Sequence, residues 1–396
     1  MISISITYGK QAGTGGLGLQ AATAIAGLST AAPVVALGPG PAPDLPLEAS
    51  APFAVDWVKS PPARRPSLAS RFLRRIRPGR LVFQHDCGVG RWAASELGRV
   101  QPGVVYVFTQ VGLESLRWAR SRGLPCILDN PNGHIRGFAE AYRREWAIWV
   151  GGSYQGHPTP AMIDRVEEEY VLADLIRVSS AFAGESLIRN GVPAGKVFAC
   201  PQPVNLTRFV PPAQRLPPTG PLRVCYVGSL DLRKGFVYLL RAGRIAGPAR
   251  FQFEFVGATG DRGSKALLAR EGIGLDLVVK PGDPIPAYHR AELFVLPSLE
   301  DGFGFVAAEA MACGVPVVVT DQCGAAEWVR PGEGGWVIPA GDEVALAAVL
   351  EEALARRGRL AEMGRAARQG LMARDPDEAN RILAGRVMGL PSAAGH

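Results

Sequence analysis

The segment from Pro297 to Thr320 holds the residues best suited to bind a charged, hydroxyl-bearing ligand. It reads PSLEDGFGFVAAEAMACGVPVVVT, and its two acids, Asp301 and Glu309, are separated by seven residues. A Gly-rich turn between an apolar strand and a small-residue helix offers backbone N–H groups and a positive helix end to an anion. A carboxylate two helical turns further on can accept hydrogen bonds from sugar hydroxyls. The pattern predicts a site for a phosphorylated sugar or a nucleotide; the alternative is a plain βαβ crossover with a glycine for close packing.

A second charged loop follows another strand. The sequence CYVGSLDLRKGFVYLLRAGR places Arg233 and Lys234 between a strand that ends at Gly228 and a helix that starts near Gly235. Two adjacent cations beside a helix N-terminus suit a diphosphate. The alternative is a solvated, charged loop.

Both segments resemble motifs of the retaining glycosyltransferases of family 4, which have the GT-B fold. The first resembles the acid-x7-acid motif, although Asp301 stands where that family usually has Glu, with Glu300 just before it. The second resembles the phosphate-binding loop, with Lys234 at the family's Lys position and Ser229 at its usual Arg position. We hypothesise that Arg233 supplies the missing charge. The resemblance covers roughly residues 130–355.

The resemblance implies a role for each matched residue. Lys234 and Arg233 would neutralise the leaving nucleoside diphosphate, Asp301 would contact the donor sugar, and Glu309 would bind the ribose hydroxyls. No metal or cofactor is expected, because side chains neutralise the phosphates in this family. The other donor contacts implied are Gly228, Ser229, Lys280, Gly302, Phe303, Gly304 and Phe305, with the nucleobase near Lys280.

The first half of the chain offers two further candidates. Gly15 and Gly16, in GTGGLGLQ, are predicted to lie close to the donor phosphate or the acceptor, or else to form a flexible loop ahead of a helix. His134, in LDNPNGHI, follows an apolar strand and is a candidate to hydrogen-bond the donor sugar or the reacting hydroxyl. The alternative for His134 is a structural loop histidine, and His85, placed at another expected strand end (LVFQHD), competes with it.

Short apolar strands alternate with helical segments along both halves of the chain. This alternation predicts parallel sheets covered by helices. A proline-rich linker near residues 201–221 separates the halves. We therefore predict an α/β protein of the GT-B type, two doubly wound Rossmann-like domains facing across a cleft. The predicted boundaries are 1–205 for the acceptor-side domain, 206–376 for the nucleotide-sugar domain, and 377–396 for a final helix and tail that packs back on the first domain.

Composition limits the class of protein. The chain has 396 residues and a net charge of +7, with 47% hydrophobic and 20% charged residues, which is typical of a globular protein. It has no secretory signal pattern and no apolar run long enough to span a membrane. Six cysteines lack metal-ligand spacing, so we expect buried free thiols and a cytoplasmic location. No basic motif is interleaved with aromatic residues, so no nucleic-acid partner is expected.

The segment Arg64–Arg80 contains seven arginines, with apolar residues at helical spacing. Such a helix could contact an anionic membrane at the inner surface. The alternative, which we favour, is a helix packed on the sheet with its arginines in water.

These features together predict a retaining, metal-independent enzyme that transfers a sugar from a nucleotide-sugar donor to a hydroxyl acceptor. The departures at Ser229 and Asp301 leave a second possibility, a catalytically weak nucleotide-sugar-binding partner subunit. A dinucleotide-dependent oxidoreductase is a third, although GTGGLG does not fit the dinucleotide fingerprint after the first strand.

Overall fold

The structure is a computed structural model that describes residues 3–9, 15–42, 52–61, 78–201, 203–374 and 377–390. The chain forms two compact units, each built from more than one segment. Unit 1 comprises Met1–Ala139, Gln155–Pro203 and Pro376–His396, and unit 2 comprises Glu140–Tyr154 and Val204–Asp375. Two segments, 140–154 and 376–396, therefore belong to a unit other than the one beside them in sequence.

Unit 1 is built on a parallel sheet. Its strands are β1 (Ile4–Thr7), β2 (Val34–Gly38), β3 (Val55–Lys59), β4 (Val104–Phe108), β5 (Cys126–Asn130), β6 (Leu175–Val178) and β7 (Val197–Ala199). Their order in the sheet is β3-β2-β1-β4-β5-β6-β7. The described helices are α1 (Gly15–Ser29), α2 (Pro78–Val100), α3 (Leu113–Arg120), α4 (Ile135–Trp149), α5 (Pro160–Leu172), α6 (Ala181–Arg189) and, far along the chain, α13 (Glu378–Met388).

Unit 2 repeats the order of the first six strands of unit 1. Its strands are β8 (Leu222–Val227), β9 (Phe251–Val256), β10 (Asp276–Lys280), β11 (Leu293–Leu296), β12 (Val317–Thr320) and β13 (Gly335–Ile338), all paired in parallel in the order β10-β9-β8-β11-β12-β13. The helices are α7 (Phe236–Ile245), α8 (Arg262–Glu271), α9 (Ile285–Arg290), α10 (Phe305–Ala312), α11 (Glu343–Ala355) and α12 (Leu360–Met372). The second half of α4, from Glu140 onward, belongs to this unit.

Each unit has its own apolar core. The central strands carry almost unbroken apolar runs, such as Leu293–Leu296, because helices cover both faces of a parallel sheet. The last helix, α13, contributes Ala379, Leu383 and Val387 to the core of unit 1. The Cys200 thiol there lies 3.2 Å from the carbonyl oxygen of Ala379. All six cysteines are buried free thiols, as predicted.

Sequence patterning was wrong at one element of unit 1. The run LVFQHD is not a strand but part of helix α2, so His85 does not lie at a strand end. The third strand is instead VDWVK, whose half-exposed residues gave no clear apolar run. Because α2 is a surface helix with a buried stripe, an apolar run at its start was mistaken for a strand.

The basic segment Arg64–Arg80 lies outside the described residues up to position 77, and α2 begins at Pro78. Its contact with an anionic membrane therefore stays a prediction. Within the described ranges, no helix is both long and apolar enough to cross a bilayer.

Candidate functional site

The candidate site of unit 2 lies where the strand order changes direction. The chain runs outward from β8 to β9 and β10, then returns to place β11 on the other side of β8. In doubly wound sheets, ligands bind beyond the carboxyl ends of the strands at this point. The loops that follow β8 and β11 are the two charged segments singled out in the sequence. They are joined directly, because the Leu299 amide donates to the Arg233 carbonyl at 2.7 Å.

The loop after β8 is built around Asp231. Its carboxylate accepts a 3.1 Å hydrogen bond from the Lys234 amide and a 2.5 Å bond from the Ser229 hydroxyl. The hydroxyl of Ser229, at the family's arginine position, therefore stabilises the conformation of the loop. The loop ends at Gly235, which has a φ of +70° and starts α7. A Cβ there would lie 1.8 Å from the Pro297 carbonyl oxygen, so only glycine fits.

The two predicted cations are each paired with one of the two adjacent acids. The Arg233 guanidinium donates to the Glu300 carbonyl oxygen at 2.6 Å and lies 3.3 Å from the Glu300 carboxylate. The Lys234 ammonium forms an ion pair with Asp301. All four side chains are mostly buried, with exposed fractions between 8% and 16%. These four side chains together carry no net charge, and an arriving phosphate would compete with two carboxylates for the same cations.

Electrostatics keep Asp301 ionised. Burial alone would raise the pKa of this carboxyl, but the charges of Lys234 and Arg233 and a hydrogen bond from the Phe303 backbone outweigh it, so its pKa lies below the ordinary value. Burial would likewise lower the pKa of Arg233, and Glu300 and other nearby acids reverse that effect.

Helix α10 begins at the same edge, immediately after the Gly-rich turn. Gly304 has a φ of +82° and precedes the first turn, where no side-chain cap is found among the described residues. A Cβ on Gly304 would lie 2.5 Å from the Cys323 sulphur. The first N–H groups of the helix have no partners within it, which is the arrangement that binds anions. Phe303 packs against Phe305 and Trp328, with ring centroids 4.8 and 4.6 Å away, and holds the turn in place.

Glu309 lies on α10 as predicted and is half-buried. The Tyr288 hydroxyl donates to its carboxylate at 3.0 Å. Burial raises the pKa of Glu309, although the hydrogen bond from Tyr288 opposes the shift. Sequence reasoning missed Tyr288, because nothing in PAYHR links that tyrosine to an acid on a later helix.

Lys280 contacts a different acid from those that Arg233 and Lys234 bind. Its ammonium is 2.5 Å from Glu254, which also binds Arg290. Glu254 precedes Val256, the strand partner of Lys280, so the lysine side chain turns back along the sheet. These three residues border a cavity of about 200 Å³ on the sheet face beside α9. A contact between Lys280 and a nucleotide stays a prediction.

In unit 1, His134 is 2% exposed and follows β5, just ahead of α4. Its Nδ1 accepts a 3.3 Å bond from the Arg136 amide, and its ring lies 5.1 Å from that of Tyr170. Burial lowers the pKa of His134. The ring is therefore neutral at pH 7 with its proton on Nε2, a hydrogen-bond donor. Gly15 and Gly16 are the first residues of α1.

Sequence reasoning also missed a tyrosine whose pKa responds to charges in the loop after β8. Burial and the charge of Asp231 raise the pKa of Tyr142, on the half of α4 that belongs to unit 2, while the charge of Arg233 opposes the shift. No spacing rule connects these residues, since they lie far apart in sequence.

The described residues contain no cluster of His, Cys, Asp and Glu side chains that could hold a metal ion.

Comparison with known proteins relates part of unit 2 to a family. Residues 221–356 match the model of the glycosyl transferases group 1. This range contains both charged loops and Glu309. Unit 2 carries a group 1 glycosyl transferase domain. A putative colanic acid biosynthesis glycosyltransferase from Salmonella typhimurium is 31% identical over 193 residues, covering 45% of this chain and 47% of that protein. A D-inositol 3-phosphate glycosyltransferase from Arthrobacter is 29% identical over 212 residues, covering 49% and 50%.

The chain thus spans about half the length of the curated relatives it matches. Solved structures match over almost all of it. Sucrose-phosphate synthase from Thermosynechococcus elongatus has a TM-score of 0.71 at 21% identity, covering 98% of each chain. Anabaena HepE, solved with UDP and glucose, has a TM-score of 0.68 at 18% identity, covering 98% of this chain and 100% of that one. The group 1 glycosyl transferase domain therefore belongs to a chain of the predicted α/β GT-B fold, which these likenesses confirm.

Proposed function

We propose that the protein transfers a sugar from a nucleotide-sugar donor to a hydroxyl acceptor, with retention at the anomeric carbon and without a metal ion. The observation that carries the proposal is the meeting of Arg233, Lys234 and Asp301 at the carboxyl edge of unit 2, inside the range that matches the glycosyl transferase family. Negative charge grows on the leaving diphosphate as the glycosidic bond breaks. Cations fixed beside that phosphate therefore stabilise the transition state more than the ground state.

The chemistry proposed needs no protein nucleophile. Lys234 and the first N–H groups of α10 would hold the diphosphate, and its leaving oxygen would take the proton of the acceptor hydroxyl. Asp301 would accept a hydrogen bond from a donor-sugar hydroxyl, and Glu309 from the ribose. His134, a neutral donor at Nε2, is proposed to bind the sugar or the reacting hydroxyl, while Gly15 and Gly16 permit close approach in unit 1. Exclusion of water would limit donor hydrolysis.

The test is a panel of UDP-, GDP- and ADP-sugars with the purified protein. We expect one donor to raise the melting temperature and to be slowly hydrolysed, since active transferases leak sugar to water. Hydrolysis should survive EDTA, and NMR of the released sugar should show the donor's own anomeric configuration. Lys234→Ala and Glu309→Ala should each remove most turnover while the protein stays folded. Near-normal turnover in either variant would count against the site.

The alternative, a weakly active nucleotide-sugar-binding subunit, is favoured by one observation. Ser229 stands at an arginine position and its hydroxyl is bonded to Asp231. Donor-dependent stabilisation with no hydrolysis and no transfer would support this alternative over an enzyme.

A further inference from the structure

Tyr288, on α9, is a buried tyrosine with a fixed position beside β11. It is 0% exposed, and its ring packs edge-on against the rings of Phe209 and Phe294, with centroids 6.3 and 5.8 Å away. The helix that carries it is held as well, because the ring Nε2 of the next residue, His289, lies 2.9 Å from the Val210 carbonyl oxygen. The direction in which the Tyr288 hydroxyl points is therefore set by packing on several sides.

This hydroxyl contacts two points of α10 that are one helical turn apart. It lies 3.1 Å from the Val306 carbonyl oxygen, in the first turn, and 3.0 Å from Oε2 of Glu309, in the next turn. Burial raises the pKa of Tyr288 well above its ordinary value, so the hydroxyl keeps its proton at neutral pH and acts as the donor. One group thus fixes the acid relative to the start of the helix, where the candidate diphosphate site lies.

The bond to Tyr288 leaves half of the Glu309 carboxylate available. Among the described residues, Oε2 accepts a hydrogen bond from Tyr288, whereas no group donates to Oε1, which stays accessible to solvent. An ionised carboxylate accepts hydrogen bonds at both oxygens. The held oxygen orients the group, and the open one can accept a bond from a ligand hydroxyl. A carboxylate held in this way loses little rotamer freedom when a ligand binds.

We propose that Tyr288 is a positioning residue for ribose recognition: its hydroxyl holds Oε2 of Glu309 so that Oε1 accepts a hydrogen bond from the ribose of the nucleotide donor. This inference rests on the proposed function, in which Glu309 binds the ribose. The alternative is that a buried hydroxyl needs a partner, for which the Val306 carbonyl oxygen is enough. Only the positioning role makes the preference for a ribonucleotide over its deoxy form depend on Tyr288.

The experiment is calorimetry on the full chain with UDP, GDP and ADP, and then with the 2′,3′-dideoxy form of whichever binds best. The ratio of the two dissociation constants reports the ribose contact, because base and diphosphate are unchanged. In wild type we expect the ribonucleotide to bind about 10-fold more tightly. Tyr288→Phe should weaken ribonucleotide binding about 5- to 10-fold. It should leave binding of the dideoxy form within about twofold of wild type.

Tyr238→Phe is the matched control. The Tyr238 hydroxyl also donates to a buried carboxylate, that of Glu145 at 2.6 Å, but this pair joins α7 to the segment 140–154. The variant should lose a similar amount of stability in urea unfolding and keep the wild-type ratio.

A double-mutant cycle tests whether Tyr288 acts through Glu309. Glu309→Gln keeps the shape of the side chain and removes its charge, so it should itself lower the preference for the ribonucleotide. Adding Tyr288→Phe to Glu309→Gln should weaken ribonucleotide binding no further, because the acid that Tyr288 positions is gone.

The outcomes separate the two proposals. Wild-type protein that binds none of the three nucleotides overturns the proposed function, and this inference with it. Wild-type protein that binds a ribonucleotide and its dideoxy form equally overturns the ribose contact of Glu309 and the role of Tyr288, but not sugar transfer. An unchanged ratio in Tyr288→Phe overturns the positioning role alone. The same shift of the ratio in Tyr238→Phe, or additive losses in the cycle, also overturns it.

Discussion

The pairing of Lys234 with Asp301 predicts that removing the acid strengthens binding of a bare nucleotide. In the structure the ammonium already has a carboxylate partner, and that partner is ionised because its pKa is held below the ordinary value. A diphosphate that contacts Lys234 would lie near the Asp301 charge and be repelled by it. Asp301→Asn keeps the size of the side chain and deletes this repulsion.

The magnitude follows from Coulomb's law. With the ammonium between them, the carboxylate and a phosphate oxygen would be about 6 Å apart, which corresponds to about 0.7 kcal/mol at the dielectric constant of water and about 2.8 kcal/mol at an effective value of 20. UDP, or whichever nucleoside diphosphate binds best, should therefore bind roughly 3- to 100-fold more tightly to Asp301→Asn. Transfer of the sugar should fall, because the proposed hydrogen bond to the donor sugar is weakened.

Isothermal titration calorimetry at pH 7.5 and low salt measures the first quantity, and donor hydrolysis measures the second. Asp276→Asn is the matched control: it removes one charge from the amino end of β10, at the opposite edge of the same sheet, and should leave affinity nearly unchanged. A folded Asp301→Asn protein that binds the nucleotide no better than wild type, or more weakly, would refute the idea that this carboxylate competes with phosphate.

Two predictions concern stability and use urea unfolding. Gly304→Ala should lower the free energy of unfolding by about 2–4 kcal/mol, because it strains a φ of +82° and puts a methyl group against Cys323. Gly332→Ala is the control: its φ is +80° but the space around it is open, so it should lower the free energy of unfolding by only about 1 kcal/mol. Equal losses in the two variants would contradict a role for the contact with Cys323. Glu169 is fully buried and burial raises its pKa to about 7, although the amides of Gln110, Gly112 and Leu113 bond its carboxylate. Its folded-state proton therefore contributes stability below about pH 4.5 that is lost as the pH rises through 7. The free energy of unfolding should fall by up to a few kcal/mol between these pH values in wild type and change less in Glu169→Gln; identical slopes would exclude Glu169 as the cause.

The parts of this protein that are encoded locally could be predicted from the sequence. The strands of unit 2 are apolar runs bounded by glycine and proline. Lys234 and Asp301 lie in the loops that follow two of them, and Glu309 lies on the helix after the second loop, so their positions in the fold agree with the sequence pattern, while their roles stay predictions. The pairing of Arg233 with Glu300 could not be predicted, because it depends on β8 and β11 becoming neighbours in the sheet. Tyr288 contacts Glu309 on a later helix, where no periodicity applies. His85 was misplaced because a surface helix can begin with a strand-like apolar run.

The placement of α13 has a consequence for how the protein is made. Ala379, Leu383 and Val387 complete the core of unit 1, but the ribosome synthesises them after every residue of unit 2. The segment 140–154 of unit 2 is synthesised well before residue 375, so every part of unit 2 is present once that residue has left the ribosome. The core of unit 1, whose strands are translated first, therefore stays incomplete and partly exposed until α13 is synthesised. Unit 2 can finish folding before that. This reverses the usual order of cotranslational folding, in which N-terminal domains are completed first.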